Sequence, residues 1–424
     1  MTRRSAPVLD QLFSVGGIGR ERLDREFHGC SLDPVGAGST FSVAGLFAGI
    51  GGIERGLAKA GGRPELLCEF WEPAKSVLAK RYPDVPLVGD IRELKALPKV
   101  DVVTAGFPCT DLSQAGRTKG ITGEASGLVA EVFRLLRRRR VPVLILENVR
   151  NMLVLDGGEA MRYLVAELED LGYRWAYRLV DSRFTGVPQR RQRVIFVAAR
   201  DIDPRAVLFA DDAGEPAAGR YADDCFGFYW TEGLRGLGWA QDAVPTLKGG
   251  STIGIPSPPG VWCPDNPLGS RLVLPTIEDA EQMQGFPRRW TAAADLVSDR
   301  RGTRWKLVGN AVTVGVSTWV GSRLRKPGEP YLEGAALQAG DKWPTAAFGS
   351  AGKAWAVDIS MWPTHQPYTH LSDAVDLASA APVSARGAAG FLSRALRGRL
   401  RFADGFLDDV SEHVRFMNSE RAVA

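Results

Sequence analysis

A chain of 424 residues with 45% hydrophobic side chains is long enough for one large or two to three smaller domains, each with a packed core. No apolar run approaches the ~18 residues of a membrane-crossing helix. The basic start Met1-Thr2-Arg3-Arg4 lacks the apolar stretch of a signal peptide, so a cytoplasmic protein is expected. A formal charge of +4 permits nucleic-acid binding without demanding it, because the clustering of basic residues decides more than their sum.

The five cysteines (Cys30, Cys68, Cys109, Cys225, Cys263) are odd in number, widely spaced and without a CxxC pair. That pattern argues against a disulfide framework and a cysteine-rich zinc site, and no metal is expected. Cys30, Cys68, Cys225 and Cys263 read as ordinary small apolar or loop residues. The four histidines are His28, His365, His370 and His413, and the long central stretch has none. A Cys-His hydrolase needs an imidazole to activate its thiol, so that class is disfavoured.

Residues 1–41 are rich in Gly, Arg and Asp with weak periodicity and read as a partly ordered extension. Phe41 to Phe47 is a short apolar strand running into Ala48-Gly49-Ile50-Gly51-Gly52 and a helical pattern over residues 53–60. Strand, Gly-rich turn and helix open a nucleotide-type α/β unit. The glycines allow a ligand close to the backbone, and the helix start adds a positive dipole end. The spacing is not GxGxxG, so the dinucleotide fingerprint is absent, and a tight turn without a ligand is an equal reading. A second strand over 66–70 ends in Glu69-Phe70-Trp71-Glu72-Pro73, with a helix over 74–82. An acid about 20 residues after the Gly turn suits ribose hydroxyls, and Trp71 suits stacking on a base.

Strands follow over 87–91, ending at Asp90, and over 100–105. The latter opens into Gly106-Phe107-Pro108-Cys109, which holds a thiol at a strand's C-terminal end, where ligands sit in open α/β sheets. After a helix over 127–140, the apolar strand 141–146 ends in Glu147-Asn148-Val149. A helix over 161–171 precedes two strands, 175–180 and 194–199, predicted as a hairpin. Between them lies Gln189-Arg190-Arg191-Gln192-Arg193. Alternation puts Arg191 and Arg193 on one face if the strand begins there. Residues 201–270 read as an irregular, loop-rich insertion. Helices return over 277–284 and 314–324, around Gly285-Phe286-Pro287 and Gly309-Asn310-Ala311-Val312. Residues 331–424 form a tail with a strand over 355–361 and five arginines within 386–401 (Arg386, Arg394, Arg397, Arg399, Arg401).

This ordered set of motifs resembles the C5-cytosine DNA methyltransferases. The matches are Phe47 to Gly52, Asp90, Gly106 to Cys109, Glu147-Asn148-Val149, Gln189 to Arg193, Gln284 to Pro287 and Gly309 to Val312, over residues 42–200 and 271–325. Any one is weak alone; their joint occurrence in order is specific. The resemblance implies a Rossmann-like α/β methyltransferase sheet over 42–200, a target-recognition region at 201–270, a return to the catalytic domain at 271–330 and a C-terminal extension at 331–424.

It also implies S-adenosylmethionine as cofactor, with S-adenosylhomocysteine as product. Phe47 and Trp71 would flank the adenine, Asp90 with Ile91 would hold its edge, and Gly49, Gly51, Gly52 and Pro108 would line the pocket. Leu128, Asn310 and Val312 would line the methionine end. Glu69 would take the ribose, with Glu72 competing because the acidic motif is one residue longer than usual. Cys109 would attack C6 of a flipped cytosine, Glu147 would engage N3, Arg193 would stabilise O2 and Arg191 would orient the site. No histidine is near to take the C5 proton, so water or hydroxide would. Double-stranded DNA is the implied partner, met in part through the tail arginines or, equally, not through them if they only solubilise a packing helix. A monomeric, bacterial, nucleoid-associated enzyme of a restriction-modification or phage-defence system is expected, any endonuclease being a separate protein. An RNA cytosine methyltransferase, or a catalytically idle DNA-binding regulator, are the alternatives.

Overall fold

The computed structural model describes residues 40–107, 124–231, 237–249, 256–329, 333–377 and 379–423. They form two compact units. The first takes its residues from Met1–Asp181, Gln192–Glu215 and Val314–Thr364; the second from Ser182–Arg191, Pro216–Thr313 and His365–Ala424. These bounds differ from those expected. Residues 201–215 belong with the first unit and 271–313 with the second, and the tail is divided between them. Cys109 and Pro108 lie outside the described residues, as does nearly all of the N-terminal extension. Among the described residues no helix is long and apolar enough to cross a membrane.

The first unit is built on a ten-stranded sheet ordered β14-β16-β15-β6-β8-β5-β4-β1-β2-β3. Its strands are β1 (Phe41–Leu46), β2 (Gly62–Cys68), β3 (Leu87–Val88), β4 (Val102–Ala105), β5 (Val143–Val149), β6 (Arg174–Asp181), β8 (Gln192–Ala199), β14 (Ala335–Ala336), β15 (Ala346–Ser350) and β16 (Lys353–Ala356). The five strands from β3 to β5 are parallel. Helices cross over between them, among them Gly52–Lys59, Glu72–Arg81 and Glu124–Arg138. Covered on both faces, β4 and β5 carry near-continuous apolar runs rather than an alternation. β8 runs antiparallel between β5 and β6. The expected pairing of 175–180 with 194–199 is present, with Trp175 opposite Ala198 and Val180 opposite Arg193.

The tail contributes to this sheet more than the single strand expected. β15 pairs with β6, and β16 and β14 follow antiparallel. The joint is fixed by the buried Arg178 of β6, which donates to the carbonyls of Ser360, Leu208 and Asp211 at 2.8, 2.9 and 2.5 Å. Trp175, Tyr177 and Phe196 stack on one another, and Trp343 from the tail packs edge-on against the first two.

The second unit replaces the loop-rich insertion expected over 201–270 with an antiparallel five-stranded sheet ordered β10-β9-β12-β13-β17. Its members are β9 (Phe226–Phe228), β10 (Trp239–Gln241), β12 (Gly260–Trp262), β13 (Leu272–Leu274) and β17 (Ala381–Pro382), and a separate pair joins β7 (Gln189–Arg190) to β11 (Val244–Pro245). Three-residue strands are too short to show an alternation, so the sequence hides them. Their aromatic residues form a core: Phe226, Phe228 and Trp262 pack with Phe391 and Phe406 of the tail helices Ala385–Ala395 and Phe406–Val423. His413 is buried in this unit, its Nε2 2.7 Å from the Val383 carbonyl.

Cys225 and Cys263 are joined in a disulfide across 38 residues of sequence. This corrects their assignment as ordinary residues. The β9–β12 register, with Phe226 opposite Trp262, brings the two preceding and following positions face to face, a neighbourhood invisible in spacing alone. Cys68 is buried and free, and its thiol is pushed up to about 12, first by burial and then by the nearby acids, so it carries little thiolate near neutral pH.

The helix Gly52–Lys59 packs on Val314–Arg325 through Gly56, where a Cβ would stand 2.5 Å from both Ser317 Cβ and the Val314 carbonyl oxygen. Alanine normally gains about 1 kcal/mol over glycine inside a helix, while overpacking costs about 1–3 kcal/mol. Backbone atoms cannot retreat, so the second effect wins. Gly56→Ala is expected to lower stability by about 1 kcal/mol or more, read as a lower midpoint in urea unfolding.

Candidate active site

The adjacent parallel strands β3, β2, β1 and β4 end along one edge, and the residues that follow them are those picked out in the sequence. After β1 the chain turns sharply, with positive φ at Phe47 (54°), Gly49 (57°) and Gly51 (81°). Gly49 and Gly51 adopt this conformation freely; Phe47 holds it against steric cost. A Cβ at Gly49 would meet no atom within 4 Å, so open space lies over the turn.

Glu69, just past β2, faces that turn. Its Oε2 accepts from Gly49 N and its Oε1 from Trp71 N, each at 2.8 Å. Burial raises the Glu69 carboxyl above its ordinary value, outweighing the backbone donors Trp71, Gly49 and Phe70. Each carboxylate oxygen keeps a lone pair for another donor. Glu72 is instead exposed in the first helical turn and paired with Lys75 at 2.7 Å. Of the two competing acids, Glu69 is the one at the strand edge. Asp90 follows β3, its Oδ1 accepting from Arg92 N at 2.9 Å, and Ile91 is buried. Leu128 and Phe47 are partly buried against the main core. Asn310 and Val312 belong to the second unit.

After β4, Gly106 passes close to the end of β5, where its missing Cβ would lie 3.6 Å from Glu147 Oε2. Glu147 and Arg193 are diagonal neighbours on one face of the β5–β8 pair, Glu147 standing opposite Ile195 and Val149 opposite Arg193. Arg193 Nε meets Glu147 Oε1 at 2.9 Å, and both side chains are nearly buried, 12% and 11% exposed. Phe107, Leu146, Met152, Leu164, Val194 and Phe196 surround this end of β5. The pair places an acid and a cation together at the strand edge beside the Gly106 loop.

Arg191 departs from the expectation of a shared face with Arg193. The chain leaves strand geometry between β7 and β8, so no alternation runs through it. Arg191 is 1% exposed and donates to the carbonyls of Leu247, Gly309 and Ala311. Gln284, fully buried, donates to the carbonyls of Val308 and Ala311 and accepts from Thr313 Oγ1 at 2.6 Å. Gln189 bridges the Met283 carbonyl and Leu247 N. Three sequence motifs of the second unit thus converge on one buried polar network that holds the turn Gly309-Asn310-Ala311.

The family model of the C-5 cytosine-specific DNA methylases matches residues 41–210. The Type II methyltransferase M2.BsuMI of Bacillus subtilis (strain 168) is 44% identical over 380 residues, 87% of this chain and 97% of that protein. The chain belongs to the C-5 cytosine-specific DNA methylase family. The Type II methyltransferase M.MspI of Moraxella sp. is 28% identical over 307 residues, 68% of this chain and 71% of its own. Among solved structures, S. pombe Dnmt2 methyltransferase matches with 15% identity and a TM-score of 0.49, covering 67% of this chain and 98% of that one.

The strand edge fits the S-adenosylmethionine that such a methylase uses. It offers an open glycine turn for close approach and a buried carboxylate with lone pairs to spare for a diol. Gly49, Gly51, Gly52, Glu69, Trp71, Asp90 and Ile91 are the residues of the first unit that would hold it.

One acid of this methylase escaped the sequence reading. Glu54, two residues past the glycine turn, passes for a solvated first-turn carboxylate. It is instead buried, accepting from Thr104 Oγ1 at 2.8 Å, while its Oε2 has no hydrogen-bond partner among the described residues. It fits only because β1 has glycine at position 45, where a Cβ would fall 2.3 Å from Glu54 Oε1. The signal available was Gly45 itself, a gap in an otherwise apolar strand. Burial raises the Glu54 carboxyl from 4.5 to about 7. A raised carboxyl supports folding below its unfolded value, and that support is lost as pH rises through the folded value. The wild type is therefore expected to lose about 3 kcal/mol relative to Glu54→Gln between pH ~4.5 and pH ~7.5, measured by urea unfolding across that range.

Proposed function

We propose that the chain methylates C5 of a flipped-out cytosine in a specific duplex DNA sequence, with Cys109 as the covalent nucleophile. The observation that carries this reading is the near-buried Glu147–Arg193 pair beside Gly106, the glycine that leads into Cys109 in the sequence. A base stacked in a duplex cannot reach such an enclosed edge, so it must leave the helix at a cost of a few kcal/mol.

The thiolate of Cys109 adds to C6, forming a C–S bond and pushing the C5–C6 electron pair toward C5. Negative charge builds toward N3 and O2. Glu147 meets it at N3 and Arg193 at O2, in a site where fixed donors act without reorganising. Arg191 acts indirectly, by fixing the carbonyls of Leu247, Gly309 and Ala311. When bound, S-adenosylmethionine would supply an electrophilic methyl group, which the C5 electron pair takes up as the sulfonium–methyl bond breaks and S-adenosylhomocysteine is left. The C5 proton then leaves to water or hydroxide, the C5–C6 double bond re-forms, and Cys109 departs as thiolate. The second unit supplies target recognition, and a Type II restriction-modification role is consistent with the relatives' names.

Transfer of tritiated methyl to duplex DNA, with transfer RNA as competitor, tests the assignment. Cys109→Ser should abolish transfer while leaving cofactor binding intact; a fully active variant would refute the covalent route. Glu147→Gln should lower kcat by about 10²–10⁴. Preferential methylation of transfer RNA would overturn the DNA assignment, and absence of transfer in the wild type would overturn the enzyme.

A further inference from the structure

The second unit carries an arginine run that its own packing does not use. The helix Ala385–Ala395 ends, and the chain continues without regular structure through Leu396-Arg397-Gly398-Arg399-Leu400-Arg401. Arg397, Arg399 and Arg401 are exposed. Arg397 Nε donates to the Ser393 carbonyl one turn back. None of the three pairs with a carboxylate among the described residues, although arginines elsewhere in this chain do so repeatedly. Over residues 394–404 there are four arginines against one aspartate, Asp404, a local charge of +3.

The segment is held from below. Phe402 packs edge-on against Trp239, their centroids 5.2 Å apart, and also against Phe406. Arg394 donates to the Trp230 carbonyl. Leu237 and Trp230 belong to the same cluster. The arginines therefore project from an anchored platform, not from a loose terminus. Two leucines beside them are open to solvent, Leu396 at 68% and Leu400 at 38%. The chain turns at Leu396 and Arg397, with Arg397 N donating to the Arg394 carbonyl and Gly398 N to the Ala395 carbonyl, so Arg397, Arg399 and Arg401 are exposed together within a short braced stretch.

We infer that Arg397, Arg399 and Arg401 form a phosphate-binding ridge for duplex DNA, separate from the catalytic edge. This rests on the proposed action on DNA and adds a surface of the enzyme that meets it. The ridge contributes affinity and orientation without reading bases, as backbone contacts do. A cluster of exposed guanidinium groups without carboxylate partners, on a braced segment, complements the phosphates of a duplex, and each such contact releases counterions.

The test uses the full-length protein. The R397Q/R399Q/R401Q variant is compared with wild type and with R397K/R399K/R401K for binding to a 30-base-pair duplex across a salt series. If the ridge binds phosphates, the slope of log affinity against log salt falls by about 2–3 in the glutamine variant. The lysine variant keeps most of it, and KM for DNA rises while kcat at saturating DNA and cofactor affinity do not change. An unchanged slope in a glutamine variant with wild-type thermal unfolding overturns the proposal. So does equal loss in the lysine variant, which marks a structural role. Unchanged DNA binding together with lost binding to phosphatidylserine vesicles also overturns it, in favour of a lipid surface. Wild-type protein that binds DNA with the full slope but transfers no methyl would sink the catalytic reading and leave the ridge standing.

Discussion

The site of the first unit depends on one register, that of β5 against β8. A carboxylate and a guanidinium withdrawn from water pay a desolvation cost that only good geometry and further hydrogen bonds offset. Glu147 and Arg193 meet that condition as diagonal partners on one face of two antiparallel strands. A slip of one residue would turn Arg193 to the other face and leave Glu147 without its counter-charge in an apolar surround. The register is in turn held from both sides, because β8 lies between β5 and β6 and its Val194 to Ala199 are buried throughout. The pair is better understood as fixing the position of two charged groups at the strand edge than as a source of stability.

Two arginines only two residues apart illustrate how finely the backbone assigns roles. Arg193 lies on β8 and keeps its guanidinium at the strand edge. Arg191 lies where the chain breaks strand geometry, and its guanidinium is given over to three backbone carbonyls. Buried carbonyls in an irregular turn need donors, and Gln284 and Arg191 supply them jointly at Ala311. The motif residues of the second unit are thus explained by the turn they hold together. Gly309 belongs to the same construction, since a Cβ there would strike the Lys248 backbone at 2.5 Å.

What could be read in the sequence follows from what leaves a periodic or compositional trace. Strands buried on both faces, such as β4 and β5, show as apolar runs, and the polar residues that interrupt their C-terminal ends mark the ligand edge. The acid after β2 was recognisable as one of two, and only the hydrogen bonds from Gly49 and Trp71 single out Glu69. Three-residue strands leave no trace, so the sheet around Phe226, Phe228 and Trp262 passes for loop. The Cys225–Cys263 pairing depends on a register between such strands. The tail was legible as a change of character but not as two pieces, because its division follows from long-range partners: Arg178 and Trp343 for the first unit, Phe391 and Phe406 for the second. Glu54 leaves no signal of its own, because an acid in a first helical turn is normally solvated and its burial depends on a glycine in another element.

The same long-range sorting gives the net charge of +4 its meaning. Arg178, Arg191 and Arg205 are buried, and their charges are answered by backbone carbonyls or by carboxylates such as Asp203. Arg271, Arg304 and Arg323, partly buried, are answered within their own units by Asp409, Glu281 and Asp211. Composition counts all of these equally with Arg397, Arg399 and Arg401, yet only a cation without an internal partner is available to an external anion. A nearly neutral total is therefore compatible with strong attraction for a polyanion, provided the unanswered cations are gathered in one place. Gathering them on an irregular segment braced by Phe402 keeps the backbone fixed while the guanidinium groups stay hydrated. A phosphate backbone then need only displace water and counterions, without breaking any ion pair on which the fold relies.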